Sequence, residues 1–313
     1  MADPVLHIKD SYFFEVPRFL WRRNWQSLEE VPEFLRKAHP EATLADFNRD
    51  LSGKILIPQP FGQLKNLYEP ASGFCISKFM ILEVVVALLL FFLLRRAVRQ
   101  IRPDGPPRGK WANAVEALVL FIRDQVARNA IGKKDGDKFA PLLATFFVFI
   151  LGCNLMGMLP WLGTPTGAWG TTFALAVVAI GTTIGAGFVK LGPVGFFANM
   201  IPKIPLPWFF LPLTLAIQVT ILLIEILGLL IRHTVLSIRL LANMMAGHLV
   251  ILGLLGGIVA AAGATFGKFA AVATVTVLGC ALFSMLEVFV AFLQAYIFTF
   301  LAALYISLAV HHH

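Results

Sequence analysis

Apolar residues run through this chain in blocks too long for a soluble core, and the polar residues between them mark where each block ends. Residues 1–78 hold no such block: WRRNW, PEFLRKAHPE and LIPQPFGQ mix charge, proline and aromatic side chains. The first block, Phe79–Leu94, closes on Arg95, Arg96, Arg99 and Arg102 and predicts a membrane helix over 79–98. After the Pro/Gly-rich PDGPPRGK, a linker by composition, Trp111, Val115, Leu118, Ile122 and Val126 recur at helical spacing. They predict an amphipathic helix over 111–130, lying on the membrane surface or a partner, or else solvated in the cytoplasm. Lys133, Lys134 and Lys138 precede a helix expected over 139–160, and another over 171–190 returns to Lys190.

The last two blocks are too long for upright spans. From Leu213 to about Leu255 there is no proline and no turn cluster, and Lys268–Val310 offers only Gly279 as a weak point. A helix of about 40 residues is about 60 Å long, against a hydrocarbon core of about 30 Å. Each block either hides a reversal without turn residues or forms one steeply tilted helix. Both stay apolar almost to their ends, so neither can simply project into water, and the tilt is the preferred reading. Helices are therefore expected over 206–257 and 268–309, joined through GATFGK. The fold class is an all-α polytopic membrane protein with about five membrane-embedded helices, including a long, steeply tilted C-terminal hairpin, plus one surface amphipathic helix.

Composition agrees with the pattern. Of 313 residues, 58% are hydrophobic and 14% charged, where a soluble domain carries about 25% charge; mean hydropathy is +0.78. The net charge of +8 arises mostly at the ends of apolar runs, where the positive-inside rule puts it. It implies a lipid bilayer as partner and no nucleic acid. The basic cluster after Leu94 places residues 1–78 outside the cytoplasm as an extracytoplasmic extension, and counting spans returns the C-terminus to the cytoplasm. MADPVLHIKD has two aspartates and no apolar core, so no cleavable signal is expected. Cys75, Cys153 and Cys280 are scattered, which argues against a disulfide framework or a metal site.

Against this background the ionisable residues of the last two blocks, tyrosines aside, stand out: Glu225, Arg232, His233, Arg239, His248, Lys268 and Glu287. An arginine at the bilayer centre costs about 3 kcal/mol or more. Arg232, seven residues before Arg239, and Asn243, four after, share its helix face, and Glu225 falls near it. Glu287 and Gln294 share a face of the last helix. If Arg239 and Gln294 are level in an antiparallel hairpin, His248 and Glu287 come within about 3 Å of the same height. One layer then holds a permanent cation with an amide, and the other two titratable groups, as a proton path requires. Plainer readings stay open. Arg232 and His233 suit interfacial snorkelling, Glu225 suits a counter-ion for Arg232, and His248 suits a hydrogen bond to a neighbouring helix. Arg239 also suits a packing pair with Glu287 or Glu225.

The run IRLLANMMAGH, the upstream Glu225, NLMGMLP and the closing LQAYIFTFLAALYISLA resemble the a subunit of F-type ATP synthases, over about residues 79–310. The resemblance implies a membrane channel domain there, the stator half of a proton channel facing a ring of c subunits. It also implies peripheral-stalk b subunits as partners, no cofactor, no metal, and no chemical active site in this chain. Arg239 inherits the role of the arginine facing the ring carboxylates. Gln294 resembles the glutamine level with it, and Asn243 the asparagine on its face. His248 and Glu287 match two positions of the outer half-channel, with acid and histidine exchanged relative to many bacterial members, as in mitochondrial homologues. Asn154 matches a polar lining position, and Gly157 stands where an acidic residue is often found. The implied setting is a bacterial inner membrane with protons as the coupling ion. A secondary ion transporter is the alternative, but no internal repeat or Gly/Pro-broken central helix supports it. A purely structural assembly subunit is the other rival.

Overall fold

The computed structural model describes residues 10–16, 24–100, 109–159, 162–201, 211–261, 263 and 265–311. The expected linker at 103–110 and the start of the helix expected over 206–257 therefore lie wholly or largely outside the described residues, as does part of GATFGK.

The helices are α1 (Glu33–Ala38), α2 (Leu44–Asp50), α3 (Lys78–Val98), α4 (Lys110–Phe121), α5 (Arg128–Ile131), α6 (Lys133–Gly157), α7 (Trp169–Asn199), α8 (Leu211–Ala260) and α9 (Phe266–Val310). Four of them, α6 to α9, are long and apolar enough to cross a membrane by length and composition. The fifth expected membrane helix, α3, forms over 21 residues but carries Lys78, Glu83, Arg95 and Arg96. Neither long block reverses. With no proline beyond Pro212 in the first turn of α8 and no competing turn chemistry, α8 continues for 50 residues and α9 for 45, about 75 Å and 68 Å of helix.

Two compact units divide the chain. One comprises Met1–Leu89, Gly152–Ala168 and Met244–Val288; the other comprises Leu90–Leu151, Trp169–Asn243 and Phe289–His313.

In the first unit, β1 (Phe13–Glu15) pairs antiparallel with β2 (Lys54–Leu56), and β3 (Gly62–Leu64) with β4 (Pro70–Gly73). Trp25, Val31, Leu35, Phe47 and Leu51 make a small core around α1 and α2. The start of α2 is set by a capping box, Thr43 accepting from the Asp46 amide while the Asp46 carboxylate accepts from the Thr43 amide. The extension is tied to α3 by Asp10, whose carboxylate accepts from the Phe79 amide at 3.3 Å, and by Ser11, whose carbonyl accepts from the Lys78 amide at 2.8 Å.

The second unit has the larger core, built from Leu143, Phe146 and Ile150 of α6, Leu236 and Leu240 of α8, and Phe298, Ala302 and Ile306 of α9. Small residues on α9, including Ala295, Ala302 and Ala303, are fully or almost fully buried; they let neighbouring helices approach closely where lipid removes the hydrophobic drive. The expected amphipathic helix runs from α4 through a π-helical turn, Ile122–Ala127, into α5. Ile122, Val126, Ala127 and Ile131 join the core, so the C-terminal half of this helix is docked on its own chain, while Trp111 at its start is 48% exposed. Lys138 and Lys190, two of the expected charge markers, converge on Asp135. Beyond Lys190 the helix axis of α7 breaks at Gly192, whose φ of 74° suits only glycine. Helical residues then resume to Asn199, where an end near 190 was expected.

Candidate functional site

In the first unit, α8 supplies His248 and α9 supplies Glu287, with Nδ1 and Oε1 3.3 Å apart. The antiparallel spacing read from the sequence brings these two together. Glu287 is only 4% exposed. Each ring nitrogen of His248 also faces a carbonyl: Nδ1 lies 3.1 Å from the Met244 oxygen, and Nε2 3.1 Å from the Gly157 oxygen. Either tautomer therefore has an acceptor for its N–H, and the doubly protonated ring has two. The ring's fourth contact is the Thr164 hydroxyl, 3.2 Å from Nε2. The result is a short polar series, Thr164–His248–Glu287, beside mostly apolar stretches of α8 and α9.

Two glycines make room for it. A Cβ on Gly247 would sit 2.6 Å from Glu287 Oε1, and a Cβ on Gly157 would sit 2.1 Å from Thr164 Oγ1. The absence of an acidic side chain at 157 thus has a steric reason, because Thr164 occupies that space. Nearby, Asn154 is fully buried and its Oδ1 accepts from the Thr166 hydroxyl at 2.7 Å. Thr164 and Thr166 were not singled out from sequence. They lie in a short connection between α6 and α7, about 80 residues from His248, and only the departure at Gly157 hinted at them.

In the second unit, the Asn243 amide donates to Gln294 Oε1 at 2.8 Å. Gln294, 1% exposed, thus meets the asparagine one turn beyond Arg239. Glu225 and Arg232 form an ion pair of 3.5 Å with both side chains about 40% exposed, which is the counter-ion reading of Glu225. His233 is completely buried and does not snorkel. Its Nδ1 bonds the Leu229 carbonyl at 2.9 Å. Arg239 is half-buried on an uninterrupted apolar helix. Among the described residues it makes no ion pair and no hydrogen bond, and Glu225 pairs with Arg232 instead. Among the described residues no His/Cys/Asp/Glu group is arranged to hold a metal ion.

Long apolar helices carrying a few placed polar groups define a polytopic membrane protein. Comparison with known proteins says which. Residues 79–307 match the family described as ATP synthase A chain. The chain is 37% identical over 254 residues to ATP synthase subunit a of Myxococcus xanthus, covering 80% of this chain and 79% of the relative. It is 34% identical over 313 residues to the subunit a of an Anaeromyxobacter species, covering 98% and 70%. Against that of Chloroherpeton thalassium it is 36% identical over 260 residues, covering 81% and 73%. The chain belongs to the ATP synthase A chain family. It is a multi-pass bacterial membrane protein of ATP synthesis and proton transport, a subunit of the membrane sector of an ATP synthase.

Proposed function

We propose that this chain is the stator half of the membrane proton channel, a non-catalytic subunit that couples proton flow to rotation of a ring of c subunits and so to ATP synthesis. One observation carries the reading: Arg239 sits half-buried on an uninterrupted apolar helix and, among the described residues, has no carboxylate partner. A permanent cation held in hydrocarbon is costly. A partner that supplies the missing negative charge removes most of that cost, and the ring carboxylates are of that kind. The cation in turn lowers the cost of an ionised ring carboxylate and favours its proton release. It also repels protons that would otherwise cross directly. Lysine is a poor replacement, since it loses its proton when desolvated and lacks the planar fork.

The two proton half-channels are offset on either side of this arginine. His248, Glu287, Thr164 and Asn154 line the half open to the outside, and the Glu225–Arg232 pair flanks the half open to the cytoplasm. Asn243 and Gln294 hold the level between them. Residues 1–78 lie outside the bacterial inner membrane, the C-terminus lies in the cytoplasm, and the long helices α8 and α9 cross the membrane at a steep tilt. Peripheral-stalk b subunits hold this chain against the torque of the ring.

The test is Arg239→Ala in the assembled complex, reconstituted in vesicles. It is expected to abolish ATP-driven pumping and ATP synthesis, to leave assembly intact, and to raise passive proton leak. Pumping at near the wild-type rate would overturn the role given to this residue.

A further inference from the structure

Preceding Arg239 on α8, two buried side chains each keep a polar atom without a hydrogen-bond partner among the described residues. His233 and Ser237 are each 0% exposed. The Nδ1 of His233 is committed to the Leu229 carbonyl, which leaves the lone pair of Nε2 as an acceptor. That atom and the Ser237 hydroxyl have no hydrogen-bond partner among the described residues.

Ser237 departs from the habit of the other hydroxyls on these helices. Thr145, Thr183, Thr220, Thr234, Thr274 and Thr299 each donate to the carbonyl four residues back, at 2.8–2.9 Å. This is how a hydroxyl is normally satisfied in an apolar helix. The Ser237 hydroxyl makes no such bond, so its donor and lone pairs are left unused among the described residues. His233 and Ser237 are one turn apart, on the same buried face as Leu236 and Leu240. The Tyr305 ring of α9 closes over the imidazole, with centroids 4.9 Å apart. An acceptor and a hydroxyl, buried together, match the bonding capacity of a water molecule.

We infer that His233 and Ser237 form a site for water or hydronium, and that this site is a step of the proton path on the N-terminal side of Arg239. The inference rests on the proton-channel reading above and adds to it a ligand and two residues. His233 positions the water through Nε2; the Ser237 hydroxyl accepts a proton from a hydronium on an oxygen lone pair and releases its own proton to the next water, so the hydroxyl is restored and the excess proton has moved on by one water. Along α8, the site lies six and two residues before Arg239.

The experiment uses the whole ATP synthase in vesicles, with silver ion as the probe on Ser237→Cys, a near-isosteric change. Silver is expected to block passive proton flux through Ser237→Cys and to spare wild type. His233→Leu is expected to lower flux by about tenfold, the factor for one lost hydrogen-bonded partner. His233→Gln, which keeps an acceptor, is expected to recover most of that loss. An unreactive Ser237→Cys, together with flux within about twofold of wild type in both His233 variants, would overturn the inference. If His233→Leu fails to assemble, the silver result on Ser237→Cys decides alone. Arg239→Ala separates the two levels. Loss of pumping there with silent 233 and 237 variants removes only this site, whereas normal pumping there removes the channel reading itself.

Discussion

Gly247 is the glycine against which the Glu287 carboxylate of the proposed proton relay packs, and adding a single methyl group there tests the geometry. A Cβ at 247 would lie 2.6 Å from Glu287 Oε1, 3.1 Å from its Cδ and 3.5 Å from its Cγ. Ordinary contact begins near 3.4 Å, so the carboxylate has to retreat by about 0.8 Å, an overpacking that costs about 1–3 kcal/mol. Its contact with His248 Nδ1 is 3.3 Å now, just outside the range for direct proton transfer, about 2.6–3.2 Å. A retreat of that size carries it beyond reach. If the cost appears in the barrier to proton flow, Gly247→Ala slows pumping by about fivefold to a hundredfold. ATP-driven acidification of inverted vesicles, normalised to assembled complex, measures it. Gly253→Ala is the control: it lies on the same helix, and a Cβ there meets nothing within 4 Å. Shortening the acid in the double variant Gly247→Ala/Glu287→Asp should recover part of the loss. Wild-type pumping by Gly247→Ala, or an equal loss in Gly253→Ala, would refute the reasoning.

Thr164→Val removes the hydroxyl beside His248 Nε2 at nearly constant volume and should slow pumping by about tenfold, while Thr164→Ser stays near wild type in the same acidification assay. The extension should show a pH dependence traceable to Asp10, whose carboxyl is pushed above its usual value of 3.8 by burial, against the opposing hydrogen bonds from Ser77 and the Phe79 and Ser11 amides. A raised folded-state value means stability that is present in acid and lost as pH rises from 3.8 through that higher value. Asp10→Asn keeps an acceptor for both amides and should flatten this loss, read as proteolytic protection of residues 10–78 in the solubilised complex; an unchanged pH profile would count against it.

What the sequence determined was whatever one helix decides by itself. Residues 213–255 contain no proline and no turn cluster, so nothing locally competes with helix, and α8 runs unbroken through Arg232, where a reversal would have to lie. The meeting of His248 with Glu287 was legible too, because comparable spacings on two antiparallel helices are fixed by a constant rise per residue. Choice of partner across helices was not legible. Gln294 could reach Arg239 or Asn243 by height alone, and side-chain direction chose Asn243. His233 had the same local pattern as an interfacial residue, and only packing under Tyr305 buried it. Thr164 had no signature at all: a hydroxyl in a short connection acquires its role when the chain brings it over Gly157 and onto His248. Periodicity and rise are properties of neighbours along the chain, whereas the second partner of a buried polar atom comes from whichever segment packing brings within about 3 Å of it.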